Sequence, residues 1–271
     1  MMLKNFGQME QFVREQSGKK RVALAAAHDA DALGSLMMAV DRGIAEAILI
    51  GRRKEIVRVL DEMGKDAGDF RIIEEEDDRA AADKAVELVH RGEADMPMKG
   101  LMHTSTFMKA ILDKEKGLKE EGNLLSQASV FEIPEKDRFL IISDCAVNID
   151  PDLETKIKIT ENAAALAHTL GIEQPKIAVL SAVEVVNPKI RSTVDAAAMR
   201  ERLSDRYLID GPLALDNAID EAAAHHKGIE SPVAGKADIL IVPDLWSGNI
   251  FSKGLVFFAH LRSAGTLNGL K

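Results

Sequence analysis

"RVALAAAHDADALGSLMMAVDRGIAEAILIG", residues 21–51, decides how the chain is built. It opens on RVALAAA (21–27), a short run that is apolar after its first residue. DADALGSLMMAVDRG then places apolar residues at helical spacing and stops on Gly43, and EAILIG (46–51) is a second apolar run. A short buried strand, a helix of about three turns and another short buried strand make a βαβ unit with parallel strands. Its crossover is right-handed by default. The pattern repeats outward. Helical RRKEIVRVLDEM leads to DFRIIE (69–74), and helical DRAAADKAVELVHRG leads to ADMPMKG (94–100), which is followed by helical TSTFMKAILDKE. Such alternation predicts a parallel sheet covered by helices. Upstream, MMLKNFGQMEQFVREQ is charged and amphipathic, without the apolar block of a signal peptide, and reads as a first helix.

The middle of the chain changes character. LLSQASVFEI (124–133) and RFLIISDC (138–145) are separated by PEKD, which predicts an antiparallel pair and a change of domain. A helical stretch follows from Pro151 to Leu170. The alternation then resumes with KIAVLS (176–181), helical STVDAAAMRERL, YLID (207–210), helical LALDNAIDEAAAHH and ADILIVPD (237–244). A last helix is expected over Ser247 to Ser263. The fold class is α/β, with two α/β domains.

Composition bounds the function. The 271 residues suffice for two modest domains, and 46% hydrophobic residues supply a core rather than a disordered chain. Aromatics are 4%, so Ala, Val, Ile, Leu and Met must fill that core. One cysteine allows no internal disulfide, which fits a reducing cytoplasm. The net charge of −9 argues against a general nucleic-acid-binding face, while a local pocket for an anion stays open. No apolar run is long enough to span a membrane.

In open α/β sheets, ligands bind beyond the carboxyl ends of the strands. Four turns there carry polar residues or glycine: MKGLMHTST (98–106), SDCAVNIDPD (143–152), SAVEVVNPK (181–189) and PDLWSGNIFSK (243–253). A fifth, IDGPLALDNA (209–218), follows the short strand YLID. Helix N-termini after such turns present free N–H groups that suit phosphate or carboxylate. Lys99, His103, Thr104 and Ser105 cluster in this way. A plain N-cap by Thr104 or Ser105, with Lys99 solvated, explains the same spacing equally well.

MKGLMHTSTFMKAIL, ISDCAVNIDPDL, PKIAVLSAVEVVNPK, DGPLALDNAID and ADILIVPDLWSGNIFSKGLVFFAH stand in the order seen in the phosphate acetyl/butyryl transferase family. The chain resembles that family, and most closely its phosphate butyryltransferase branch, over nearly its whole length. The resemblance implies an acyltransferase that interconverts acyl-CoA plus phosphate with acyl phosphate plus CoA. The CoA thiol attacks the acyl carbonyl directly in a ternary complex, with no metal, no cofactor and no covalent acyl-enzyme. It implies a fold similar to isocitrate and isopropylmalate dehydrogenases, two α/β domains with the site in the cleft between them, and a cytoplasmic homodimer. Its domains would be 1–128 plus 254–271, discontinuous, and 129–253. Carried over by motif, the phosphate-facing residues are Lys99, Gly100, His103, Thr104 and Ser105. Asp144, Ala146 and Asn148 come from the second domain's loop. Ser181, Asn187 and the Asp210-Gly211-Pro212 turn form further walls, and Gly248 and Asn249 open the last helix.

One departure leaves the catalytic residues unassigned. The resemblance implies a further strand ending in a Ser-Arg-x-Asp segment, whereas this sequence closes on SAGTLNGLK. IRST (190–193) and LRSA (261–264) carry Arg before Ser, in Arg191-Ser192 and Arg262-Ser263, and are no equivalent. A truncated, differently working or weakly active chain is one expectation, and a non-catalytic homologue that binds CoA or acyl phosphate is another. A third reading starts from HDADALGS (28–35), which resembles the Asp-x-Asp-x-x-Gly-Ser segment of DHH-type manganese phosphoesterases, with His28, Asp29 and Asp31 as ligands. That family's Asp-His-His segment has Ala224 before His225 and His226 here, and Asp29 as a helix N-cap is the plainer reading. Cys145 has Asp144 as its neighbour, which disfavours a thiolate, and reads as a packing residue. Trp246, the one tryptophan, is expected to pack at the domain junction.

Overall fold

The computed structural model describes residues 1–16, 18–119 and 122–270. The chain divides into two compact units, one of residues 10–121 and one of residues 1–9 with 122–270. The first helix, α1 (Phe6–Glu15), straddles that division.

The unit of residues 10–121 is the repeating βαβ pattern. β1 (Lys20–Ala25), β2 (Ala45–Gly51), β3 (Arg71–Glu74) and β4 (Met96–Lys99) form one parallel sheet in the order β3-β2-β1-β4. α2 (Ala30–Asp41), α3 (Arg53–Glu62), α4 (Asp78–His90) and α5 (Thr104–Ile111) connect or follow the strands. Leu24, Leu33, Leu49, Ile56 and Leu60 are fully buried together, which explains the near-continuous apolar runs of β1 and β2. The acidic stretch before α4 supplies its cap: the Asp77 carboxylate accepts the Ala80 amide at 2.8 Å. β1 has β2 on one side and β4 on the other, so the chain reverses direction across the sheet at β1/β4. A ligand crevice is expected at such a switch point.

The second unit carries a mixed sheet of order β10-β5-β6-β9-β7-β8. β5 (Ser126–Ile133) and β6 (Arg138–Ser143) are the expected antiparallel pair. β7 (Lys176–Leu180), β8 (Leu208–Leu213) and β9 (Ile239–Ile241) run parallel, with β9 between β6 and β7. α6 (Leu153–Thr169) and α7 (Arg191–Leu203) cover one face with α1. α8 (Leu215–Ile219), α9 (Glu221–His226) and α10 (Leu245–Phe257) cover the other. Aliphatic residues and alanines fill both faces, with Phe131 and Phe139 among the few buried aromatics.

Three expectations need correction. The last helix ends at Phe257 rather than running to Ser263, because His260 takes a left-handed φ of 54°. The residues beyond it form β10 (Ser263–Asn268), antiparallel to β5. That pairing keeps residues 254–270 in the second unit, so the tail does not return to the first domain, and the division falls near 121 instead of 128. The helix expected over 213–226 is two helices, because Asp220 adopts extended φ/ψ and caps α9 through Ala223 N at 2.8 Å. Among the described residues no helix is long and apolar enough to cross a membrane.

Candidate functional site

At the β1/β4 switch point, Gly100 lies against the turn that leaves β1. Its amide donates to Ala25 O at 2.8 Å, and Leu101 N donates to Ala26 O at 3.2 Å. A Cβ on Gly100 would stand 2.2 Å from Ala26 O and 2.7 Å from Ala25 O, so no side chain fits there. Ala26 itself has φ 53°, in the left-handed region. This zipper fixes the loop that ends in His103, the N-cap of α5. The side chain of His103 makes no cap bond, so the cap expected of Thr104 or Ser105 is absent and both lie exposed in the first turn. Early-turn N–H groups have no intrahelical acceptor and are available to an anion. Lys99 curls over the same loop, donating from Nζ to Gly100 O and Met102 O, both at 3.1 Å. An ammonium has three donors, so one remains for a ligand. Lys99, Gly100, His103, Thr104 and Ser105 are thus brought together.

Nearby, Asp29 caps α2 by accepting Ala32 N at 3.1 Å, as its plainer reading had it. His28 is buried, and its Nδ1 has no hydrogen-bond partner; it sits where a Cβ on Gly51 would fall, 3.2 Å away.

The second unit gathers Asp144, Ala146 and Asn148 just beyond β6. Asp144 is buried, and its carboxylate accepts Ala146 N at 2.8 Å, Val147 N at 2.9 Å, Asn148 N at 3.3 Å and Asn148 Nδ2 at 2.6 Å. Asn148 Nδ2 also donates to Leu125 O at 3.0 Å. Asp144 is therefore the organiser of its own loop, and the Ala146 N–H is engaged inward. α10 presses on this loop from its first turns. Asp244 caps it, accepting Ser247 N at 2.8 Å and Ser247 Oγ at 2.9 Å. A Cβ on Gly248 would meet Asp144 O at 2.7 Å, and Asn249 Nδ2 donates to Cys145 O at 3.2 Å. Asp144, Ala146, Asn148, Gly248 and Asn249 are one constellation, although Gly248 and Asn249 lie inside the helix rather than at its opening.

The remaining candidates separate. Ser181 stays at the carboxyl end of β7, its hydroxyl 2.8 Å from that of Ser192. Asn187 shapes the turn into α7: its amide donates to Thr193 Oγ1 at 2.9 Å and its Oδ1 accepts Lys189 N at 3.0 Å. An ion-pair chain ties this turn to the Asp144 loop. Buried Lys156 meets Asp195 at 2.7 Å, Asp195 meets Arg191 at 3.4 Å, and Arg191 meets Asp150 at 3.3 Å. Asp210 and Gly211 fall elsewhere. They lie within β8, not in a turn beyond it, because the strand continues through Asp-Gly-Pro to Leu213. Asp210 pairs with Arg200 at 3.3 Å, and Gly211 is small because Val179 and the Ala196 Cβ of α7 crowd it.

Cys145 is buried, and desolvation pushes its thiol up to about 11; hydroxyls of Ser129 and Ser252 pull the other way, and the Asp144 charge adds to the rise. A thiol of that kind is no nucleophile at neutral pH. Reading the sequence missed Asp244 and Ser192. The Asp-x-x-Ser spacing of Asp244 to Ser247 is an N-cap signal that was there to find. The pairing of Ser192 with Ser181 is tertiary and has none. Trp246, expected to pack, is 57% exposed.

A family profile described as phosphate acetyl/butaryl transferase matches residues 79–270. The chain is 45% identical to a phosphate butyryltransferase of Clostridium acetobutylicum over 273 aligned positions, covering 99% of this chain and 90% of the relative. It is 42% identical to a phosphate acetyltransferase of Thermotoga maritima, covering 97% of this chain and 90% of that one. Among solved structures, a branched-chain phosphotransacylase from Enterococcus faecalis superposes with a TM-score of 0.82 at 33% identity, covering 93% of this chain and 89% of that one. A 4-hydroxythreonine-4-phosphate dehydrogenase from Burkholderia phymatum is similar in fold alone, with a TM-score of 0.52 at 15% identity over 94% and 88% of the two chains.

Proposed function

The chain belongs to the phosphate acetyl/butyryl transferase family, and from that premise we propose that it interconverts acyl-CoA plus phosphate with acyl phosphate plus CoA. The observation that carries this reading is the 45% identity to a phosphate butyryltransferase, which runs along 99% of the chain.

The chemistry is acyl transfer between a phosphate oxygen and a thiol sulfur. In the direction of CoA acylation the thiol sulfur bonds to the acyl carbon, the bond from that carbon to the phosphate oxygen breaks, and phosphate leaves with the electron pair. The thiol proton passes to a base. The enzyme must hold two polyanions with sulfur and carbon about 3 to 3.5 Å apart and give donors to the oxyanion. The first turn of α5, with Lys99, Gly100, His103, Thr104 and Ser105, suits the phosphate. CoA enters as a substrate, and the reaction needs no metal or cofactor. A short acyl group, butyryl or acetyl, fits relatives of both names, and the apolar contacts that separate them are worth about 1–3 kcal/mol per methylene. The protein works as a homodimer in the cytoplasm, where its single thiol stays reduced.

The test mixes butyryl-CoA or acetyl-CoA with phosphate and follows thiol release. Phosphate-dependent release identifies a transferase. Thiol release that ignores phosphate identifies a hydrolase instead.

A further inference from the structure

Lys99 is held unlike the lysines that form ion pairs. Lys84 meets Glu87, Lys156 meets Asp195 and Lys227 meets Glu184, and each carboxylate keeps its lysine charged. Among the described residues Lys99 forms no ion pair. Its Nζ donates instead to two neutral oxygens, Gly100 O and Met102 O, both at 3.1 Å. No other lysine among the described residues rests on two carbonyls.

Two of the three directions around Nζ are thereby taken, and the third is open. In the ammonium ion the third direction carries a hydrogen, which suits a phosphate oxygen. In the neutral amine it carries the lone pair, because the two remaining hydrogens still satisfy the two carbonyls. One geometry thus serves a cation that binds phosphate and a nucleophile that faces the same ligand.

The proposed reaction supplies something to attack. An acyl phosphate is a mixed anhydride, with an electrophilic carbonyl carbon and phosphate as its leaving group. When its phosphate is seated beside Lys99, the acyl carbon lies one bond from a phosphate oxygen. A side chain that reaches the oxygen reaches that carbon, and the bound pair needs no chance collision.

We propose that Lys99 is a modification site, acylated on Nζ by the acyl phosphate bound beside it. The lone pair of the neutral amine bonds to the acyl carbon. The bond from that carbon to the phosphate oxygen breaks, and phosphate leaves with the electron pair and takes the amine proton. The products are an N-acyl-lysine and free phosphate. The amide has no charge and a single hydrogen, so one carbonyl loses its donor and the phosphate loop loses its cation. Phosphate then binds more weakly. Acylation therefore acts as a brake when acyl phosphate accumulates and CoA is too scarce to accept the acyl group. The inference rests on the transferase reading, which supplies the acyl phosphate.

Timed peptide mass spectrometry of the whole chain, incubated with butyryl phosphate without CoA, tests it. Lys99 is expected to gain a butyryl group roughly tenfold or more faster than Lys54, which is exposed on α3. Inorganic phosphate slows the labelling of Lys99 and leaves that of Lys54 unchanged. The KM for phosphate rises several-fold in step with the labelling. Lys99→Gln shows that rise from the start. Lys99→Arg, which keeps the charge and has no amine to acylate, loses no activity during the incubation. Labelling of Lys99 no faster than that of Lys54, or labelling that ignores phosphate, overturns the inference. Phosphate-dependent thiol release by the untreated chain judges the transferase reading separately. A chain that releases thiol and leaves Lys99 unlabelled keeps that reading and overturns this inference. A chain that labels Lys99 and releases no thiol does the reverse.

Discussion

The Asp144 carboxylate accepts the side-chain amide of Asn148 at 2.6 Å while holding three successive backbone amides, those of Ala146, Val147 and Asn148. One buried anion thus shapes the whole turn beyond β6. Asp144→Ala should cost about 2–3 kcal/mol in urea unfolding, because the donors lose their acceptor in a buried place. Asp144→Asn keeps one oxygen and should cost less. Equal stability of wild type and Asp144→Ala would contradict the organising role.

Two glycines on α10 should respond with opposite signs. A Cβ at Gly248 meets Asp144 O at 2.7 Å and Val242 Cγ2 at 2.8 Å, whereas one at Gly254 meets nothing within 4 Å. Gly248→Ala should destabilise by about 1–3 kcal/mol through overpacking. Gly254→Ala should stabilise by up to about 1 kcal/mol through helix propensity. Thermal melts of the two variants check the pair.

These positions also show what the amino-acid order carries. Apolar runs and helical spacing were enough to place the strands from β1 to β9; the buried runs of β1, β2, β7 and β9 leave an unbroken signal, and the PEKD turn marks the antiparallel β5 and β6. β10 was hidden, since Ser263, Ala264 and Gly265 have no strand-like pattern and pair only through β5. Within the five motifs, residue order does not show which way a side chain turns. Asp144 was read as facing a ligand and faces its own loop, a difference that depends on burial. Asp210 was read as a turn residue and lies within β8, since the strand continues through Gly211 and Pro212.

Cys145 should be chemically quiet. Its thiol is raised from an ordinary 9.0 to about 11, so it stays protonated at neutral pH. Iodoacetamide should label it only on unfolding, and Cys145→Ala should keep most activity. The sign for stability follows from linkage. A folded-state value above the unfolded one favours the fold below pH 9.0, and that contribution is lost as pH rises through about 11. Cys145→Ala should flatten the alkaline loss, and an unaltered profile would refute the assignment.

Lys99 has one donor left after binding Gly100 O and Met102 O. Lys99→Ala should raise the KM for phosphate several-fold more than the KM for CoA. An equal rise in both would mark a loop-shaping role alone.

Phosphate-dependent release of CoA thiol from butyryl-CoA, followed with the purified 271-residue chain, tests the central claim most directly. The account predicts release that saturates with phosphate and yields butyryl phosphate in equal amount. A folded chain that binds CoA and releases no thiol at any phosphate concentration would contradict it.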